Sequence, residues 1–152
     1  MVDMQLVGRC GLYCGACNVY RAQRDDPEWR RRFAERFNCT VEQVRCEGCG
    51  GLTPDCWGFD CKILKCLRER GYEFCCECPD YEARSCEKHE RIARGYAEDG
   101  VDMRANLAMI KEGKLAEWLE AAAAQYTCKF CGGPTTEGAA KCHHCGREIV
   151  AG

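Results

Sequence analysis

Nine of the seventeen cysteines fall between residues 46 and 86, in CEGCGGLTPDCWGFDCKILKCLRERGYEFCCECPDYEARSC. Large aliphatic side chains are sparse in this stretch, so buried oil cannot supply its folding energy. A segment of this kind needs staples, and metal bound by sulfur is the economical one. The chain, at 152 residues, has room for one ordinary domain or two small ones. The start, MVDMQLVGRC, lacks the charged-then-apolar layout of a signal peptide. No apolar run approaches bilayer-spanning length, so no membrane association is expected. The expected location is therefore cytoplasmic, where thiols stay reduced and Cys-x-x-Cys pairs read as metal ligands. An odd number of cysteines also rules out complete pairing within one chain.

The tail gives the most specific signal. Cys128 and Cys131 form one Cys-x-x-Cys pair followed by Gly132, and Cys142 and Cys145 form a second followed by Gly146. Two such turns supply four thiolates for a tetrahedral ion, with Zn–S bonds of about 2.3 Å. The pattern is that of a zinc ribbon built from short β-hairpins. His143 and His144 lie inside the second pair, and the four thiolates are complete without them. They are expected to be exposed.

Upstream, Cys10, Cys14 and Cys17 form C-x3-C-x2-C. This spacing also holds the open cluster of radical-SAM enzymes, but the chain has none of the repeating strand–helix units that such enzymes require. The trio is instead expected to borrow a fourth thiolate from the 46–86 stretch. There, Cys46 and Cys49 form a clear pair, and Cys75 and Cys78 another with Cys76 between them. Cys61 and Cys66 sit five apart on an expected helix, and Cys56 and Cys86 stand alone. Cys39 reads as a small buried hydrophobe. Zinc and iron–sulfur clusters both take four thiolates. Pairs separated by long spacers favour several zinc ions; an iron–sulfur cluster in the N-terminal block is the alternative.

Local signals outline the helices. Asp26 is a candidate N-cap with Pro27 at the first helical position. Trp29, Phe33 and Phe37 make an aromatic stripe expected to pack in the core. Thr40 and Gln43 match a capping box, expected to open a short helix ending at Cys46. Asp60 is expected to cap a helix through Arg70 that Gly71 stops. Pro79 is expected to open another through about Arg94. Met103, Leu107 and Ile110, then Leu115, Trp118, Leu119, Ala122 and Tyr126, recur at helical spacing on either side of Gly113. Trp118 and Tyr126 are expected to dock this pair on the cysteine-rich part.

The fold class that follows is a small metal-stabilised protein, mostly α with irregular Cys-rich loops, ending in a zinc ribbon. Its expected division is a Cys-rich metal-binding domain over 1–98, an amphipathic helical pair over 99–126 and the ribbon over 127–152. With 22 basic and 24 acidic side chains the chain carries a formal charge of −2. Residues 127–152 hold three basic and two acidic side chains. Neither balance offers the phosphate attraction that nucleic-acid binders use, so that partner is not expected. A protein partner is compatible with the sequence.

CGLYCGAC at Cys10–Cys17, CEGC at Cys46–Cys49, CKILKC at Cys61–Cys66 and EFCCEC at Glu73–Cys78 resemble, in this order, the motifs of a cysteine-rich bacterial and archaeal family, domain of unknown function 3795. The stretch NLAMIKEGKLAEWLEAAAAQYTCKFCGG is similar to members carrying a C-terminal zinc ribbon. The resemblance implies a cytoplasmic metal-binding protein and supplies no activity. In the family pattern the position of Cys76 is commonly not cysteine and Cys56 lies in a variable loop. The ligands implied are Cys10, Cys14, Cys17, Cys46, Cys49, Cys61, Cys66, Cys75, Cys78 and Cys86, alongside the tail's four. His89 could complete a mixed site with Cys86, but a solvent-facing place on its helix is the plainer expectation. With no acid–base constellation in view, the expected role is a non-enzymatic interaction or regulatory module; an iron–sulfur or thiol redox protein is the alternative.

Overall fold

Asp26 caps the helix Pro27–Arg36 as its chemistry dictates. Its carboxylate accepts from the backbone N–H groups of Glu28 (3.0 Å) and Trp29 (3.1 Å), and Pro27 takes the first helical position. The structure is a computed structural model and describes residues 3–49, 53–57 and 60–149. Its α-helices are α1 (Asn18–Asp25), α2 (Pro27–Arg36), α3 (Lys62–Arg70), α4 (Pro79–Glu82), α5 (Glu87–Ala97), α6 (Met103–Lys111) and α7 (Leu115–Gln125). Tighter 3-10 turns occupy Met4–Leu6, Cys14–Ala16 and Cys75–Glu77. No helix among the described residues is long and apolar enough to cross a membrane.

The helical pair α6–α7 does not stand apart from the cysteines. Leu107, Ile110, Trp118 and Leu119 share one buried cluster with Val7, Ile63, Leu67, Phe74, Cys75 and Cys78. Trp118 is 3% exposed, and Tyr126 stacks on Tyr13 at 6.1 Å between ring centroids. Both residues therefore dock the pair as expected. Each large apolar side chain buried here contributes about 1.5–3 kcal/mol relative to exposure, and the thiols take part as ordinary apolar packing. A smaller cluster of Val19, Ala34 and Val44 joins α1 to α2, with Cys17, Phe33 and Cys46 packed against it.

Four local expectations are corrected. The capping box forms, with Thr40 N–H donating to Gln43 Oε1 (2.8 Å) and Gln43 N–H to Thr40 Oγ1 (3.3 Å), yet it closes only a turn. A helix needs more residues than remain before the Cys46 loop to offset its nucleation cost. Asp60 does not cap α3; Cys61 holds that position without a side-chain cap bond, while Gly71 ends the helix in the left-handed conformation as expected. The helix opened by Pro79 stops at Glu82. Arg84 turns left-handed (φ +58°), Ser85 N–H returns to the Asp80 carbonyl (2.9 Å), and a new helix starts after Cys86. The aromatic stripe of α2 is core only in part: Phe33 packs against the smaller cluster and Trp29 is half-buried, but the stripe runs out to the surface. Phe37 is 49% exposed, and Phe33, Phe37 and Trp57 make a surface aromatic group with centroids 4.7–5.4 Å apart.

The tail also differs from the expected hairpins. Among the described residues it has no strands, only two single antiparallel bridges, Thr127 with Pro134 and Lys141 with Glu148. Each Cys-x-x-Cys loop consumes the residues that a longer ladder would need.

Candidate metal centre

The two tail loops repeat one backbone pattern at an offset of fourteen residues. Cys128 N–H donates to the Gly133 carbonyl (2.8 Å) as Cys142 N–H does to Arg147 (2.9 Å). Gly132 and Gly146 each return an N–H to the first cysteine's carbonyl at 2.9 Å, with φ of +74° and +73°. Space around both glycines is open, so the left-handed turn is what calls for glycine at each. Thr135 N–H to Tyr126 and Ile149 N–H to Ala140 close the two loops.

This repetition brings four sulfurs together. The Sγ atoms of Cys128 and Cys145 lie 3.7 Å apart, as do those of Cys131 and Cys142, and all four fall within 4.8 Å of one another. A tetrahedron with metal–sulfur bonds of about 2.3 Å has edges of about 3.8 Å, so the donor set fits a single ion. Cys128 and Cys142 are buried, whereas Cys131 and Cys145 are exposed. Backbone N–H groups of Cys131 and Phe130 draw the Cys128 thiol down to about 6, which favours the thiolate that a metal needs.

The ten upstream cysteines expected as ligands, of thirteen there, are gathered more loosely. Among the described residues no three of them bring their sulfurs within 4.8 Å of one another. The thiols of Cys14 and Cys49 act on one another, which raises Cys14 and lowers Cys49 to about 7. This proximity sets the Cys10–Cys17 segment beside the 46–86 stretch. Burial pushes Cys10 far up, with Cys49, Cys75 and Cys61 adding to the effect. Burial likewise raises Cys17, takes Cys46 to about 11 and takes Cys75 to about 12. Gly48 N–H donates to Cys46 Sγ at 3.4 Å. Cys66, Cys75, Cys78 and Cys86 line one cavity of about 20 Å³ between α3 and the start of α5. Arg70 reaches Cys78 Sγ at 3.0 Å and Asp80 at 2.8 Å. Cys61 packs against the main cluster.

Cysteines outside the expected ligand set have ordinary roles. Cys76 is buried in the main cluster, Cys39 is half-buried beside the small one, and Thr53 N–H and hydroxyl approach Cys56 Sγ at 3.4 and 3.6 Å. His89 does not face solvent. It is fully buried, its Nε2 lies 2.9 Å from the Cys10 carbonyl, and its ring meets Tyr81 edge-on at 4.8 Å. Burial lowers its basicity, and the carbonyl contact only partly opposes this. The periodicity of α5 contained the signal, because residue 89 lies three before Ile92 on the same helical face. His143 is not exposed either: its side chain is 14% exposed and its Nε2 meets Asp25 Oδ2 at 2.9 Å. Nothing in the sequence singled out Asp25.

These features define a mostly helical, cysteine-rich protein with one four-cysteine group arranged to hold a metal ion. A family model matches residues 6–91, more than half of the chain, which therefore belongs to the family described as Protein of unknown function (DUF3795). The match ends within α5 and leaves α6, α7 and the four-cysteine tail outside it. Searches of curated proteins and of solved structures return no match.

Proposed function

We propose that the chain is a multi-zinc protein of non-enzymatic character, a module for protein interaction or regulation in the cytoplasm, whose four-cysteine sites are structural. The observation that carries this reading is the tail tetrad, whose four sulfurs lie within 4.8 Å of one another, with two of their separations at the 3.7 Å edge of a zinc–thiolate tetrahedron. Four protein thiolates leave no position for water or substrate, the mark of a structural rather than a catalytic site. On this reading Cys128, Cys131, Cys142 and Cys145 hold the tail ion as a zinc ribbon with minimal pairing. Cys10, Cys14, Cys17, Cys46, Cys49, Cys61, Cys66, Cys75, Cys78 and Cys86 supply the N-terminal block. Zinc contributes charge neutralisation and cross-linking there, on the order of 10 kcal/mol of apparent folding free energy per site.

One observation favours an iron–sulfur cluster in the N-terminal block as a second reading. Its thiols are near one another without three of them converging as they would on a single ion. A cluster spreads its cysteines over separate irons and so spaces them more widely. Elemental analysis of protein purified without oxygen tests both readings. Zinc at about one ion per four ligating cysteines in a colourless sample supports the first. Iron with acid-labile sulfide in a brown sample refutes it for the N-terminal block.

A further inference from the structure

Asp25, His143 and His144 meet where the second tail loop touches the end of α1. His143 Nε2 lies 2.9 Å and His144 Nε2 3.4 Å from the same oxygen, Asp25 Oδ2. All three donor atoms fall within 4.8 Å of one another. None belongs to the thiol set. We propose that these three side chains form a second, separate metal site in the full chain, an open two-histidine, one-carboxylate site for a divalent transition-metal ion.

The donor spacing suits such an ion. Bonds of about 2.0–2.1 Å to imidazole nitrogen and carboxylate oxygen give neighbouring-donor edges of about 2.9 Å in an octahedron and about 3.3 Å in a tetrahedron. The two edges to Asp25 Oδ2, 2.9 and 3.4 Å, fall across this range. The donor chemistry selects zinc, cobalt, nickel or ferrous iron over calcium and magnesium, which take all-oxygen shells. Three protein ligands leave positions for water or a small anion, unlike the filled thiolate tetrahedron beside it.

Position and rigidity support the assignment. Asp25 is the last residue of α1, where unpaired carbonyls carry partial negative charge and favour a cation. Asp26 then fixes the start of α2, so the carboxylate sits on a constrained junction. The His143 ring lies 5.0 Å from Trp29 and 4.3 Å from His144, which holds both imidazoles in place. Gly133 makes room for His144, since a Cβ there would lie 2.7 Å from the His144 Cδ2. One group opposes binding: Arg21 Nη1 lies 3.7 Å from Asp25 Oδ2. An ion arriving at the site displaces this guanidinium from the carboxylate.

A simple latch, in which the histidines only hydrogen-bond to Asp25, is the competing account, and cobalt separates the two. The full-length protein as purified, retaining its own thiolate-bound metal, is titrated with Co2+ after loosely held ions are removed with a weak chelator. One further equivalent is expected to bind. Its d–d absorption should appear without sulfur-to-cobalt charge transfer, together with partial quenching of tryptophan emission through Trp29. Asp25→Asn and His144→Gln should abolish the uptake while the metal already held by the tail is retained. Arg21→Gln keeps every ligand and removes the competing cation, so its affinity for Co2+ should rise roughly tenfold. The proposal is overturned if the protein takes up no extra ion, if charge transfer accompanies uptake, or if uptake survives in Asp25→Asn and His144→Gln. If those two variants lose the tail metal, the Arg21→Gln arm decides, and an unchanged affinity there also overturns it.

Discussion

His89 Nε2 donates to the carbonyl oxygen of Cys10 at 2.9 Å, joining α5 to the N-terminal loop across seventy-nine positions of the chain. A carbonyl can only accept, so the proton sits on Nε2 and the neutral ring leaves Nδ1 buried without a partner. His89→Ala opens a cavity and strands that carbonyl. The expected loss is about 2–5 kcal/mol, read as a lower urea midpoint. A midpoint equal to wild type would show that the contact is incidental.

Gly48 carries a second constraint on the same N-terminal segment. It has φ of +87°, and a Cβ there would lie 2.0 Å from the Gln5 carbonyl oxygen. Both partners are backbone, so neither can swing away. Gly48→Ala should cost at least about 1–3 kcal/mol from conformation alone, and should move Cys49 away from Cys14. Chemical denaturation, with the rate of thiol labelling as a second readout, checks both effects.

Glu137 sets a pH dependence. Burial, with Asp99 nearby, raises its carboxyl from 4.5 to about 7. Between these values the folded chain holds a proton that the unfolded chain has released, so the residue lowers stability progressively as pH rises through the window. Above about pH 7 the penalty is complete and amounts to at most about 3 kcal/mol. Glu137→Gln should therefore raise the denaturation midpoint in neutral and alkaline buffer and leave it nearly unchanged below about pH 4. The difference between variant and wild type isolates this group from every other effect of acid, since those act on both alike. Equal differences at both ends of the range would exclude the mechanism.

Cys142 is 1% exposed and central to the tail tetrad. Cys142→Ser should lower the bound metal by one ion per chain in elemental analysis. Far-UV circular dichroism should change little, because no helix lies among the described residues of the tail. An unchanged metal count would mean that the four sulfurs do not act together.

Trp118 shows how closely α7 is tied to the cysteine-bearing part. Trp118→Ala should cost about 3–5 kcal/mol by cavity formation in the shared cluster. Loss of helix signal and faster labelling of buried Cys75 should then occur in one transition. Two separated transitions would show independent units.

What the sequence disclosed and what it hid divide along physical lines. Asp26 with Pro27, Gly71 and the Met103–Leu107–Ile110 spacing act locally, through caps and periodicity, and each lies where those signals put it. α1 has no side-chain cap at its start, and Pro27 just past its end reads as the opening of α2, so no local signal announced where it begins. The Thr40–Gln43 box shows the reverse case: a correct local signal followed by too little chain to propagate. The tail tetrad was legible because two short-range pairs with fixed glycines nearly determine it. Asp25 was not, since it meets His143 over 118 positions and only tertiary packing brings them together.

The tail tetrad presents two faces of unequal access. Cys128 and Cys142 are sealed against the protein, while Cys131 and Cys145 lie at the surface. Any chelator, oxidant or competing thiol must therefore reach the four sulfurs from one side, at the outer pair. Access to this site is directional: for an ion held there, the outer pair would set how fast it is challenged, and the inner pair how long it stays.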